Sequence, residues 1–185
     1  FSVACRYDLR TGRRKTLRKR GNALYPTPLP GGRLVTVGYD YTGQYLLDRG
    51  DGRRFPFPRT MSVHGLAYDS LTRTLAFIGL DDEGMSIGAI DPESGAIRTL
   101  LKPSYVSIYN LRAGAGLLSF NSIQSGKDEI HLYDLRAGRQ YRLSRSRYGS
   151  LSPSAPEADS LYYFTTYTLD GYRLSTQRAT AGSLV

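Results

Sequence analysis

The stretch HLYDLRAGRQYRL, residues 131–143, reads as a strand, a tight turn at Ala137-Gly138 and a second strand. The same phrase returns as CRYDLRTGRRKTL at 5–17, as YLLDRGDGRRFPF at 45–57 and as IGAIDPESGAIRTL at 87–100. Its aspartates fall at Asp8, Asp48, Asp91 and Asp134. Its turn glycines fall at Gly12, Gly52, Gly95 and Gly138, with a fifth candidate at Gly182, so the steps are 40, 43, 43 and 44 residues. A repeat of that length with strands inside each unit is the signature of a β-propeller blade.

Working outward, the chain divides into similar units. Residues 1–17 supply two strands, near Val3–Tyr7 and Arg13–Leu17. A first full unit follows: Asn22–Pro28 as innermost strand, then Arg33–Val37, Tyr45–Leu47 and Arg53–Phe57. Pro26 and Pro28 limit how that innermost strand can pair, because proline has no N–H to donate. The second unit places strands at Ser62–Tyr68, Leu75–Ile78, Ser86–Ile90 and Ala96–Leu100. The third places them at Val106–Leu111, Leu117–Phe120, Glu129–Tyr133 and Gln140–Leu143. The fourth has Leu151-Ser152, Leu161–Thr165 and Tyr172–Thr176, and stops near Gly182 before a fourth strand. No segment has helical periodicity with caps. The expectation is an all-β propeller of four-stranded antiparallel blades, about four of them and about 17 strands, in one domain over 1–185 that is part of a larger propeller. Open blade edges would then invite association with another chain.

Charge and composition narrow the function classes. Of the formal charge of +9, all the excess lies in residues 1–60, with 13 Lys/Arg against 4 Asp/Glu; residues 61–185 carry 12 of each. The run RRKTLRKR, Arg13–Arg20, is densest and could attract nucleic acid, anionic lipid or an acidic protein. It lacks the interleaved aromatics of a stacking platform, with Tyr7 and Tyr25 only at its edges, so nucleic acid is the weaker reading. No apolar run is long enough to span a membrane as a helix. The chain opens at Phe1 without a basic and then apolar leader, which suggests a piece of a longer protein. FSVAC has the look of a lipoprotein cleavage site ending in Cys5, but the repeat puts Cys5 in an outer strand. One cysteine cannot form an intrachain disulfide, and with two distant histidines, His64 and His131, it does not make a zinc set.

The units LSPSAPEADSLYYFTTYTLDGYRLST, 151–176, and LAYDSLTRTLAFIGLDDEGMSIGAID, 66–91, resemble the TolB-type propeller repeat. Ser152-Pro153 matches the start of that repeat, Leu161–Phe164 its aromatic strand, and Tyr133-Asp134 with Ala137-Gly138 its closing turn. The resemblance covers nearly the whole chain; the turns PSAPEADS and DSLTRT depart from the family's aspartate-glycine form. Prolyl-oligopeptidase-like propellers carry similar repeats. The resemblance implies a binding or gating scaffold without catalysis of its own, located in the periplasm or cell envelope and needing no cofactor. The alternative is the substrate-gating propeller of a serine peptidase whose catalytic domain lies outside these residues.

Candidate chemistry is sparse. GMSIG, 84–88, fits G-x-S-x-G, but Ser86 opens a strand and no helix follows. Asp81-Asp82-Glu83 is acidic without the rest of a calcium loop. No catalytic or metal set is therefore expected. The loops are more informative. In a four-stranded meander the second-to-third loop and the connector to the next blade emerge on one face. That face would carry Tyr39, Asp40, Tyr41, Asp81, Asp82, Gln124, Lys127, Tyr167 and Asp170 from the loops. The connectors would add Arg18, Lys19, Arg20, Lys102, Tyr105, Arg145, Arg147 and Tyr148. Tyr and Arg are favoured at recognition surfaces. A protein partner or acidic ligand is expected there, its anionic group docking at the basic Arg18, Lys19 and Arg20 beside Tyr39 and Tyr41.

Overall fold

The computed structural model describes residues 2–17, 22–157 and 160–179. They form seventeen strands in five antiparallel sheets. A hairpin of β1 (Cys5–Asp8) and β2 (Arg13–Thr16) comes first. Blade one holds β3 (Leu24–Leu29), β4 (Arg33–Tyr39), β5 (Tyr45–Asp48) and β6 (Arg54–Pro56). Blade two holds β7 (Ser62–Asp69), β8 (Thr74–Asp81), β9 (Gly84–Ile90) and β10 (Ile97–Ser104). Blade three holds β11 (Ile108–Gly114), β12 (Leu117–Ser122), β13 (Glu129–Asp134) and β14 (Arg139–Arg142). The fourth sheet has β15 (Ser150–Leu151), β16 (Leu161–Thr168) and β17 (Gly171–Arg178). Within each sheet the strands are neighbours in chain order, as propeller meanders require, and the blades form an open arc. The fifth turn glycine, Gly182, lies outside the described residues.

Period-two alternation sends side chains to both faces of each sheet, and each face finds the next blade. Val35, Val37, Leu47 and Phe57 of blade one and its connector pack on Val63, Leu75, Phe77 and Ile90 of blade two. Ile78 and Ile87 meet Ile108, Leu118 and Phe120 across the next interface. Ile130 and Leu132 meet Tyr162 and Phe164 across the last. Each large apolar side chain buried this way contributes about 1.5–3 kcal/mol. Phe77 lies edge-on to Phe57 at 5.0 Å and covers Gly88, where a Cβ would fall 2.4 Å from the ring. The glycine in GMSIG is thus a floor for an aromatic ring rather than part of a nucleophile elbow.

Three of the four repeated aspartate–glycine pairs close their turns alike, while in the blade-one turn Asp48 accepts the Gly50 N–H and Arg49 N–H donates to the Arg53 carbonyl. Asp8 accepts the N–H groups of Arg10 and Thr11, Asp91 those of Glu93 and Ser94, and Asp134 those of Arg136 and Ala137. Gly12, Gly95 and Gly138 return N–H bonds of 2.8–2.9 Å to the aspartate carbonyls. This is the aspartate-capped turn that Asp and Gly favour. The backbone N–H groups of Thr11 and Glu93 hold the carboxyls of Asp8 and Asp91 respectively below their ordinary range, with Arg10 and Ser94 adding to the effect.

Blades are also tied together on this turn face. Glu93 of blade two meets Arg33 at 2.5 Å and Arg49 at 2.8 Å, both from blade one. Asp69, fully buried, accepts the Gly116 N–H of blade three at 3.1 Å and the Thr72 N–H and hydroxyl of its own turn. Ser119 Oγ donates to the Ser154 carbonyl beside the fourth sheet at 2.8 Å.

The innermost strands each carry an extra residue. Between the pairs Leu24–Val37 and Thr27–Val35, two residues oppose one. The same offset occurs at His64 in β7 and at Asn110-Leu111 in β11. Tyr25, Asn110 and Ser152 have φ of 50°, 55° and 54°, a region that residues with a side chain seldom adopt. These are bulges, which re-aim side chains next to a rim or site. Ser152-Pro153 therefore sits in the innermost chain segment after β15 and not in the following turn.

Candidate binding face

The loops between second and third strands and the connectors between blades share one face, as the meander demands. Hydrogen bonds join them blade by blade. In blade one, Gln44 Nε2 donates to the Phe57 carbonyl at 2.8 Å. In blade two, the Tyr105 hydroxyl donates to the Asp82 carbonyl at 3.1 Å. In blade three, Lys127 Nζ reaches the Ser146 carbonyl and the Ser150 N–H donates to the Asp128 carbonyl at 2.7 Å. The Tyr109 hydroxyl donates to Asp128; burial first, and then the carboxylate, pushes that phenol well above its ordinary range.

Six exposed tyrosines stand on this face: Tyr39, Tyr41, Tyr105, Tyr148, Tyr167 and Tyr172. Tyr41 projects fully from the tip of the 40–44 loop. Asp40 builds that tip by accepting the Thr42 hydroxyl and the N–H groups of Thr42 and Gln44, and the Thr42 hydroxyl is the main cause holding its carboxyl below the ordinary range. Tyr39 leans on Tyr45 with centroids 6.1 Å apart, and Tyr167 on Tyr172 at 5.0 Å. The Arg147 guanidinium lies over the Tyr148 ring at 5.2 Å. Arg145, Arg147 and Asp82 are exposed around these rings, and Asp81 is half-buried. Arg18, Lys19 and Arg20, the expected dock for an anionic group, lie outside the described residues.

The innermost strands hold a cavity that the sequence does not announce. Tyr25, His64, Asn110 and Arg112 line a cavity of about 240 Å³ at the bulges of the innermost strands. The His64 ring is held by the Ser62 hydroxyl at 2.9 Å. Burial raises the Tyr25 phenol above its ordinary value, with Tyr45 adding to it. One signal pointed here: a proline within an innermost strand, as in Tyr25-Pro26 and Ser152-Pro153, cannot keep an unbroken ladder. Tyr172, at the start of β17, was likewise not singled out, because exposed strand ends have no pattern of their own.

The other candidates take structural places. Ser86 is buried within β9, paired with Gly79, and no helix follows it. Asp81 accepts the Glu83 N–H at 2.9 Å and so closes the tight turn before Gly84. Arg13, Arg14 and Lys15 occupy exposed β2, and Cys5 is exposed on β1 with its thiol 3.8 Å from the Thr16 hydroxyl. Among the described residues no helix is long and apolar enough to cross a membrane.

No protein-family model matches this sequence, and no curated protein matches it. Solved structures do. TolB from Acinetobacter baumannii is similar with a TM-score of 0.74 at 16% identity, over 98% of this chain and 47% of that one. Puromycin hydrolase is similar with a TM-score of 0.68 at 12% identity, over 96% and 30%. Oligogalacturonate lyase in complex with manganese gives 0.67 at 16% identity, over 97% and 54%. This chain thus spans about half the length of the TolB structure. At these identities the likeness speaks for architecture alone: the chain has the β-propeller fold shared with TolB and with puromycin hydrolase.

Proposed function

We propose that this propeller is a non-catalytic scaffold that docks a protein segment on its loop face, within the cell envelope. The observation that carries the reading is the set of six exposed tyrosines on one face of packed blades. Tyrosine supplies large contact area at low conformational cost, and loops on a rigid scaffold are where binding function concentrates. Arg145 and Arg147 at the rim add a preference for an acidic segment, acting mainly on the rate of encounter. The cavity at Tyr25, His64 and Asn110 offers a place for one anchoring side chain of that segment. The resemblance to the TolB-type repeat supports the envelope setting.

A second reading has one observation in its favour, the likeness to puromycin hydrolase over 96% of this chain. In it the same cavity passes a peptide substrate to a catalytic domain outside these residues.

Site-specific photo-crosslinking tests the first reading. A benzophenone side chain is placed at Tyr41 or Tyr105, and in controls at Leu9 or Leu71 in exposed turns of the opposite face. The expected result is one discrete protein adduct from the tyrosine positions and none from the controls. Adducts of equal yield from both faces would refute a dedicated loop face. Adducts consisting only of short peptides, cleaved when the full-length protein is present, would favour the peptidase reading.

A further inference from the structure

Blade three holds a polar cluster beneath its 123–128 loop, in which Glu129 and His131 are buried and Arg142 and Lys127 are partly exposed. The residues of one sheet row, Phe120, His131 and Arg142, lie opposite one another on β12, β13 and β14. His131 is stacked on Phe120 at 5.8 Å and only 5% exposed. Glu129, two residues earlier on the same face, is 1% exposed. Its carboxylate is already satisfied: Ser125 Oγ donates to it at 2.9 Å, Arg142 Nη1 at 3.3 Å, and Lys127 Nζ lies 3.9 Å away. With Lys127 and Arg142 against Glu129, the cluster has a net charge of one positive unit.

The tautomer of His131 follows from its neighbours. Gln140 Nε2 donates to His131 Nδ1 at 2.8 Å and also approaches Gln124 Oε1 at 3.4 Å. An Nδ1 that accepts leaves the ring proton on Nε2. Burial keeps the ring neutral, driving its pKa below the ordinary value, with Glu129 opposing and Arg142 assisting. His131 Nε2–H and Arg142 Nε–H are therefore both donors, and both are buried without an acceptor. A buried donor without a partner costs about 1–3 kcal/mol. The two residues line one cavity of about 520 Å³ together with Gln124, Ser125, Gln140 and Tyr141.

We propose that this cavity is a binding site for a carboxylate. Two unpartnered donors, one of them on a guanidinium, call for an anionic acceptor with two oxygens, and a carboxylate bonded to Arg Nε and a neighbouring N–H has that form. The single net positive charge fits a monoanion. The site is on the outer strands of blade three, beneath the 123–128 loop, and does not depend on the docking role of the tyrosine face. The carboxylate can belong to a free organic acid or to a peptide C-terminus; the chemistry at His131 and Arg142 is the same.

Proton–nitrogen NMR of the full chain tests this through the side-chain N–H signals of His131 Nε2 and Arg142 Nε. The probes are sodium acetate, a short peptide with a free C-terminus and its amidated form, with sodium chloride and inorganic phosphate at matched ionic strength as controls. The expected result is that both signals move together and saturate with acetate or the free peptide, and stay in place with chloride, phosphate and the amidated peptide. Tighter binding of the peptide than of acetate identifies a peptide terminus as the source; equal binding identifies a free acid. Arg142→Lys keeps the charge but removes the Nε–H, and His131→Phe keeps the stacking but removes the donor. Each should weaken acetate binding by about tenfold or more, as loss of a hydrogen bond to a charged group implies. The proposal is overturned if neither signal responds to acetate or free peptide, which leaves a cavity holding water only, or if phosphate or the amidated peptide shifts them equally.

Discussion

The two ends of this propeller are built from different material. On the turn face the repeat is nearly literal: Asp8, Asp91 and Asp134 cap their turns through the same bonds, and Gly12, Gly95 and Gly138 close them. Bonds there cross between blades, through Glu93 to Arg33 and Arg49, and through Asp69 to Gly116. On the loop face no two loops are alike, and the bonds described there tie a loop to its own blade or that blade's connector. One end repeats because these three hairpins solve the same closure problem. The other can vary, and it varies toward exposed tyrosine. The difference teaches that repetition in this chain marks the scaffold, while departure from it marks surface available for binding.

Substitutions can break or sharpen that contrast. The largest effect is expected from Phe77→Ala, which empties the blade-one to blade-two interface beneath both faces. A loss of about 3–5 kcal/mol in denaturant unfolding is the expected outcome. Next is Gly95→Ala on the turn face. Gly95 has φ of 76°, and a Cβ there would lie 2.5 Å from the Phe55 ring. The expected loss is about 1–3 kcal/mol, read by the same unfolding curves, with loop-face binding retained in the folded fraction. Smaller again is Asp91→Ala, at about 1 kcal/mol or less, because the capped turn is exposed to water.

Asp91 also predicts a pH dependence. Its folded pKa is lowered from the ordinary 3.8, chiefly by the Glu93 N–H. A depressed carboxylate contributes stability above its unfolded value and loses it as the pH falls through the folded value. Melting temperatures of the wild-type chain should therefore fall below about pH 4, and those of Asp91→Ala should fall less steeply over the same window. Identical slopes would show that the cap has no electrostatic share in closing the turn.

The scaffold was legible in the sequence because its constraints are local. A turn with a glycine at positive φ and an aspartate cap leaves its residues at fixed spacing, and alternating Ile, Leu and Phe mark strands buried on both sides. The strand count of seventeen matches the reading, though strands extend further than the apolar alternation indicated: β8 runs to Asp81, β10 to Ser104 and β16 to Thr168. Edge residues there pair through backbone and need no apolar side chain. The bulges at Tyr25, His64 and Asn110 were not legible as a set, since their register depends on pairing with the second strand of each blade. The Glu129–His131–Arg142 cluster was hidden for another reason. Alternating polar residues on β13 and β14 have the pattern of a solvated face, whereas the fold buries Glu129 and His131, the latter against Phe120, and leaves Arg142 half-buried beside them.

Binding is assigned here to one face of an open arc of packed blades. The most direct test compares two double variants for affinity toward the protein captured at Tyr41 and Tyr105: Tyr41→Ser with Tyr105→Ser on the loop face, and Leu9→Ser with Leu71→Ser on the turn face. All four side chains are exposed, so both double variants should unfold within about 0.5 kcal/mol of the wild type. The account predicts that the tyrosine pair weakens binding by about tenfold or more, as loss of interface anchors does, while the leucine pair leaves it unchanged. Equal weakening by both pairs, or a loss confined to the leucine pair, would contradict it.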